Sequence, residues 1–379
     1  MSKSERLTRR EFLQLSGAVG ALAGTARIGL IPAREPTVHE QSDISEILVV
    51  NERVSEILSY YTPLSFDEQG NLLFETQDEY QRTITLSTSL LPTEFSKHVK
   101  EKVESVELLV VHYDAGLRYL LDGTERNARN TVNGLNGNDP DGDGRGASVQ
   151  WCVDGFPISR NENREGGYGI LQTQYASGAA DKPYRGKHVY IGIDLASGEK
   201  DINILETVEL FKNLGIKSNL ENLVKQGRYL QSGLNKYSVG FEQIGIYFDP
   251  GFPDTDQPTR RQVANALSLT TACMRQFSLT PWDIVGHHEI QQKSDPGYYY
   301  MGTFRFLIGV AALKGLVPQD LVFDDIDGKY RELRYFEKVA ETVRAINRYG
   351  RYGLWEDYIG YKKFIDSLND WYEIRRGNR

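Results

Sequence analysis

The sequence predicts a mixed α/β fold: a central mixed β-sheet flanked by helices. Three observations carry this reading. Apolar runs of strand length recur at residues 106–111, 148–153 and 238–248. An amphipathic helix signal opens after Pro258, and a further short strand, 282–285, follows it. Strands and helices interleave without the regular spacing of repeated βαβ units, so the sheet is expected to be mixed.

Taken in order, residues 1–33 stand apart from this pattern. Thr8-Arg9-Arg10-Glu11-Phe12-Leu13-Gln14 precedes a weakly hydrophobic Gly/Ala-rich run over 15–26. An arginine pair, Phe-Leu and such a run resemble a twin-arginine export signal, with candidate cleavage positions near Ala26 and Ala33. The run is too short, and too soon interrupted by Arg27, to span a membrane as a stable helix. Residues 34–104 form an N-terminal extension, with a helix expected around 45–60, a strand around 71–86 and no site chemistry. Residues 105–312 carry the strand runs and every candidate site residue. Residues 313–379 read as a helical C-terminal extension, with Leu333, Phe336, Ala340 and Val343 on one helix face.

The chain of 379 residues is 40% hydrophobic and 25% charged, an ordinary globular profile. Its net charge of −8 argues against binding a phosphate backbone, so nucleic acid is not an expected partner. Two cysteines, Cys152 and Cys273, make neither a disulfide framework nor a cysteine-rich zinc knuckle. Cys273 lies beside the apolar stripe Val263, Ala266, Leu267, Thr270, Met274 and Phe277 and reads as a small buried hydrophobe. Thr259, with Gln262 three residues later, predicts a capping box at the start of that helix. Any metal must be held by histidines and carboxylates.

Four separated pieces offer such ligands and their chemistry. His112 ends the first strand run; Glu242 lies in Asn235-Lys-Tyr-Ser238-Val-Gly240-Phe-Glu242. His287 follows a strand and Gly286, and Asp295 lies in Lys293-Ser-Asp295-Pro-Gly297. Two imidazoles and one carboxylate at strand ends are a three-ligand catalytic zinc set, with the fourth position left to water. Zinc would lower the pKa of that water to roughly 7. Singly, each histidine also suits an ordinary strand end, and Asp-Pro-Gly an ordinary turn. Glu242 in an apolar strand needs a cation, a metal or a proton, because burying a lone carboxylate costs several kcal/mol.

In this order the pieces become specific: Leu-Val-Val-His112, Ser148-Val-Gln150-Trp-Cys-Val-Asp-Gly155, Asn235 to Glu242, Asp283-Ile-Val-Gly-His287-His288-Glu-Ile290, and Lys293 to Gly297. Together they resemble the type 2 N-acetylmuramoyl-L-alanine amidases, the superfamily that includes peptidoglycan recognition proteins. The resemblance covers roughly residues 105–312. It implies a zinc hydrolase that cuts the amide between N-acetylmuramic acid and L-alanine, with peptidoglycan or muropeptides as partner. It makes His112, His287 and Asp295 the zinc ligands, His287 being preferred to His288 because it directly follows the glycine. Glu242 falls at the catalytic acid/base position and Lys293 at the lysine that stabilises the oxyanion.

There are departures. The 287–295 loop is shorter than usual, Gln150 replaces a common histidine, and a long insertion separates Asp154 from Asn235. Within it, His188 is either a substitute groove histidine or a plain strand residue. Asp139, Asp141 and Asp143 alternate like the first half of a calcium loop, yet position 150 is Gln where a closing Glu would stand. Calcium and an acidic surface loop both fit there. From Gly328 onward twelve Lys/Arg face eight Asp/Glu, with seven Tyr and two Trp, so the segment either packs on the core or contacts glycan. A non-catalytic peptidoglycan receptor on the same fold and a zinc peptidase acting on another envelope substrate are the rival functions.

Overall fold

The computed structural model describes residues 48–90, 101–114, 117–120, 122–137, 148–160, 166–173, 181–185, 188–189, 202–229, 234–245, 257–291, 295–324, 326, 330–346 and 350–375. Residues 1–33, which the sequence reading likens to an export signal, the aspartates 139, 141 and 143, and Lys293 lie outside the described residues.

Helix α1 (Glu52–Ser59) is capped by Asn51, whose side-chain oxygen accepts the Val54 N–H at 2.9 Å. Strands β1 (Leu64–Phe66), β2 (Leu72–Gln77) and β3 (Thr83–Ser87) form an antiparallel sheet. The single strand expected over 71–86 is therefore a hairpin. Asp78 turns the chain by accepting the N–H groups of Tyr80 and Arg82 at 2.9 and 2.8 Å, with Gln81 at φ 59°.

The second sheet contains β4 (Ser89–Leu90), β5 (Leu108–Tyr113), β6 (Trp151–Val153), β7 (Ile170–Gln172), β8 (Ser238–Gln243) and β9 (Ile284–Gly286). Their order is β4-β7-β6-β8-β5-β9, parallel throughout except for the antiparallel pair β6–β7. The sheet is mixed, as the irregular spacing predicts. The helices that follow α1 are α2 (Ala128–Gly137), α3 (Ile202–Asn213), α4 (Asn219–Lys225), α5 (Arg260–Phe277), α6 (His287–Ile290) and α7 (Tyr298–Leu313). After them come α8 (Asp320–Phe323), α9 (Arg331–Ala345), α10 (Tyr352–Ile359) and α11 (Tyr361–Arg375).

Strand β5 is buried at every residue, the signature of a central strand covered on both faces. Its side chains alternate between two cores. Leu109, Val111 and Tyr113 join Val239, Phe241 and Ile284 in a large cluster built with α5, α7 and α9. Leu108 and Val110 join Val285, Ile204, Leu220 and Leu223 in a small cluster under α3 and α4. A third small cluster, around Cys152, Leu171 and Val132, packs α2 on the same side. Between these two small clusters β8 offers Ser238, Gly240 and Glu242 instead of apolar groups. That gap is where the candidate site lies.

Thr259 Oγ1 accepts the Gln262 N–H at 3.0 Å, but the Gln262 side chain donates to the Ile244 carbonyl at 2.8 Å instead of closing the capping box. Helix α5 is buried on all sides over 262–274, not only along its predicted stripe, because β1 and α1 cover the side away from the sheet. Cys273 is fully buried among hydrophobes, and burial pushes its thiol pKa up. Trp355 is fully buried and donates Nε1–H to Thr303 Oγ1 at 3.1 Å; Trp371 is buried as well. These two side chains serve packing, not a glycan-stacking surface. Among the described residues no helix is long and apolar enough to cross a membrane.

Candidate metal centre

Parallel pairing brings the distant pieces together. His112 on β5 is the register partner of Glu242 on β8, and Val111 that of Gly286 on β9. The next residue after Gly286, His287, therefore emerges beside His112 at the carboxyl ends of the strands, where open α/β sheets place their ligands. The β9–α6 junction is held rigidly. Glu289 Oε2 accepts the Gly286 N–H at 2.8 Å, and buried Arg305 from α7 grips both Glu289 oxygens at 2.8 Å. Burial alone would raise the Glu289 pKa; the Arg305 guanidinium more than reverses this. The His288 N–H donates to the Asp295 carbonyl at 2.9 Å, which folds Asp295 back onto His287.

Three donor atoms converge there: His112 Nδ1, His287 Nδ1 and Asp295 Oδ2. The two nitrogens lie 3.0 Å apart, and Asp295 Oδ2 lies 3.1 Å from His287 and 3.7 Å from His112. Ligands on a tetrahedral zinc, each about 2.0–2.1 Å from the ion, sit about 3.3 Å from one another. The observed triangle brackets that value, so these residues fit a zinc ion. Protons satisfy the triangle poorly, since one N–H cannot point along two edges at once, whereas a single cation meets all three lone pairs.

Both histidines are oriented from behind. His287 Nε2 lies 2.5 Å from Gln291 Oε1, a contact in which Nε2–H donates and Nδ1 stays unprotonated. His112 Nε2 lies 3.2 Å from His188 Nδ1. His188 is thus neither a groove residue nor a strand residue; it is buried behind His112. Burial, then the neighbouring His112 and His287, push its pKa well below the usual imidazole value. The sequence gives no sign of Gln291, because its role comes from one turn of α6. His288 is buried too, but its Nδ1 accepts the Gly297 N–H at 3.2 Å, away from the donor triangle.

Glu242 is 7% exposed, and among the described residues its Oε2 has no hydrogen-bond partner. Burial first, then Asp295 and Asp114, push its pKa well above the usual carboxylate range. Such a group holds or releases a proton as its surroundings change. Gln150 bridges the sheet instead of facing the donors: its Oε1 accepts the Gly240 N–H at 2.6 Å and its Nε2–H donates to the Tyr184 carbonyl at 2.9 Å.

A mixed sheet with three convergent metal donors at its strand ends, beside a buried carboxyl, defines a candidate metal-dependent enzyme. The family model of N-acetylmuramoyl-L-alanine amidase matches residues 102–298, more than half of the chain, and the protein belongs to that family. Membership supports peptidoglycan amidase activity in general, and enzymes of this family are typically zinc-dependent. No curated protein and no solved structure matches the chain.

Proposed function

We propose that the protein is an exported, zinc-dependent N-acetylmuramoyl-L-alanine amidase that hydrolyses the bond between muramic acid and the stem peptide. The observation that carries this is the convergence of His112 Nδ1, His287 Nδ1 and Asp295 Oδ2 beside buried Glu242. Those three residues would hold zinc. When bound, zinc supplies a Lewis acid that polarises the scissile carbonyl and lowers the pKa of water. Glu242 takes a proton from the attacking water and returns it to the departing amide nitrogen of L-alanine as the C–N bond breaks. Its raised pKa suits a group that must carry that proton between the two steps. Lys293, two residues before Asp295, supplies positive charge for the oxygen that becomes anionic as water adds.

Mass spectrometry of purified peptidoglycan after digestion tests the bond. Released stem peptides that begin at L-alanine are expected. Cuts within the stem would instead make the protein a peptidase, and intact material would make it a receptor. Export rests on Arg9 and Arg10: changing both to Lys should strand the precursor inside the cell. Undiminished export of that double variant would contradict the reading of residues 1–33.

A further inference from the structure

We infer that His188, held by Ser238 and Gly240, is a positioning residue that sets the tautomer of His112 and so prepares its Nδ1 for zinc. This rests on the reading of His112 as a ligand. The chain of contacts runs outward from the site. Ser238 Oγ donates its hydrogen to the Leu234 carbonyl at 2.8 Å, so toward His188 Nε2, 3.5 Å away, it can only accept. Nε2 of His188 then carries the ring proton, which leaves Nδ1 as an acceptor. That Nδ1 faces His112 Nε2 at 3.2 Å and takes its N–H. His112 is fixed as the Nε2–H tautomer, with its Nδ1 unprotonated and aimed at the donor triangle. Outer hydrogen bonds of this kind orient metal-bound imidazoles and raise their basicity.

Two features show that the place of His188 is built. A Cβ at Gly240 would lie 2.8 Å from His188 Nδ1 and 3.0 Å from its Cε1, so a strand glycine makes the room the ring occupies. Asn235 fixes the backbone, its Oδ1 accepting the N–H groups of His188 and Val189 at 3.1 and 3.0 Å while its Nδ2 donates to the Val189 carbonyl. Asn235, Ser238 and Gly240 of one motif therefore serve a histidine nearly fifty residues away in sequence, and the fourth, Glu242, faces the site.

Zinc affinity, by competition with a chelator, and imidazole tautomers, by long-range nitrogen–proton NMR, test this. His188→Phe replaces the imidazole with an aromatic ring that has no nitrogen; zinc should bind roughly 10–100-fold more weakly. His188→Asn returns an oxygen near the position of Nδ1, and its affinity should lie closer to wild type. Gly240→Ala, which displaces the ring without deleting it, should weaken binding in the same direction. In zinc-free wild type, His112 and His188 should both appear as Nε2–H tautomers. Wild-type zinc affinity in His188→Phe, or an Nδ1–H tautomer at His112, would overturn the inference. Should His188→Phe not fold, the wild-type spectrum decides alone. A wild type that takes up no zinc would contradict the proposed function, while the spectrum still scores the tautomers separately.

Discussion

The two faces of the six-stranded sheet are made from the same strands and do opposite work. On one face β5, β8 and β9 turn Leu109, Val111, Val239, Phe241 and Ile284 into a single large core with α5, α7 and α9. On the other, the apolar residues fall into two small clusters, and β8 leaves a polar strip of Ser238, Gly240 and Glu242 between them. Strand period two lets neighbouring residues be assigned to stability and to chemistry in alternation. The difference teaches that the site stands on a face where apolar burial is given up locally, while the opposite face secures the fold.

The sharpest way to break this comparison is to remove the metal. Exhaustive chelation should abolish amidase activity and leave the large core folded, with activity restored by added zinc. Full activity after chelation would end the zinc mechanism. Next in size are Glu242→Gln and Lys293→Met, each expected to lower kcat by roughly 10²–10⁴ while zinc content holds. If Glu242 is only a structural partner, melting temperature should fall instead and turnover of the folded fraction stay near wild type.

The opposite face should answer differently. Phe241, fully buried one residue before Glu242, can be cut to Ala at a cost of about 3–5 kcal/mol in stability. Zinc affinity of the folded fraction should barely change. A large loss of zinc affinity with little loss of stability would mean that the faces are not separate in function.

How much of this the sequence reveals depends on whether a feature is local. His112 is legible because an apolar run ends abruptly on a polar side chain, and Glu242 because a carboxylate interrupts an apolar strand. His287 and Asp295 are legible because one short loop holds both. His188 is not, since its position is decided by Asn235, Ser238 and Gly240, which reach it only through the folded sheet. The two-residue strand β4 is too short to leave a periodic signal, yet it forms the edge of the main sheet. The hairpin over 72–87 is hidden because its turn carries no glycine or proline, only Asp78 and a left-handed Gln81.

The smallest effect expected is on the pH dependence of stability in zinc-free protein. The folded-state pKa of Glu242 is raised above its ordinary value of 4.5, with burial the largest cause. Its contribution to stability is fully present below that value and is lost as pH rises through the folded pKa. Glu242→Gln should flatten this decline in a series of denaturation curves above about pH 4.5. An unchanged slope would place the titration elsewhere.

The central claim is that His112, His287 and Asp295 together hold the metal. Zinc content measured on purified wild type and on single alanine variants tests it most directly. Wild type and His288→Ala should each carry about one zinc per chain, and His112→Ala, His287→Ala and Asp295→Ala should each lose most of it. Zinc retained by His287→Ala but lost by His288→Ala would contradict the account.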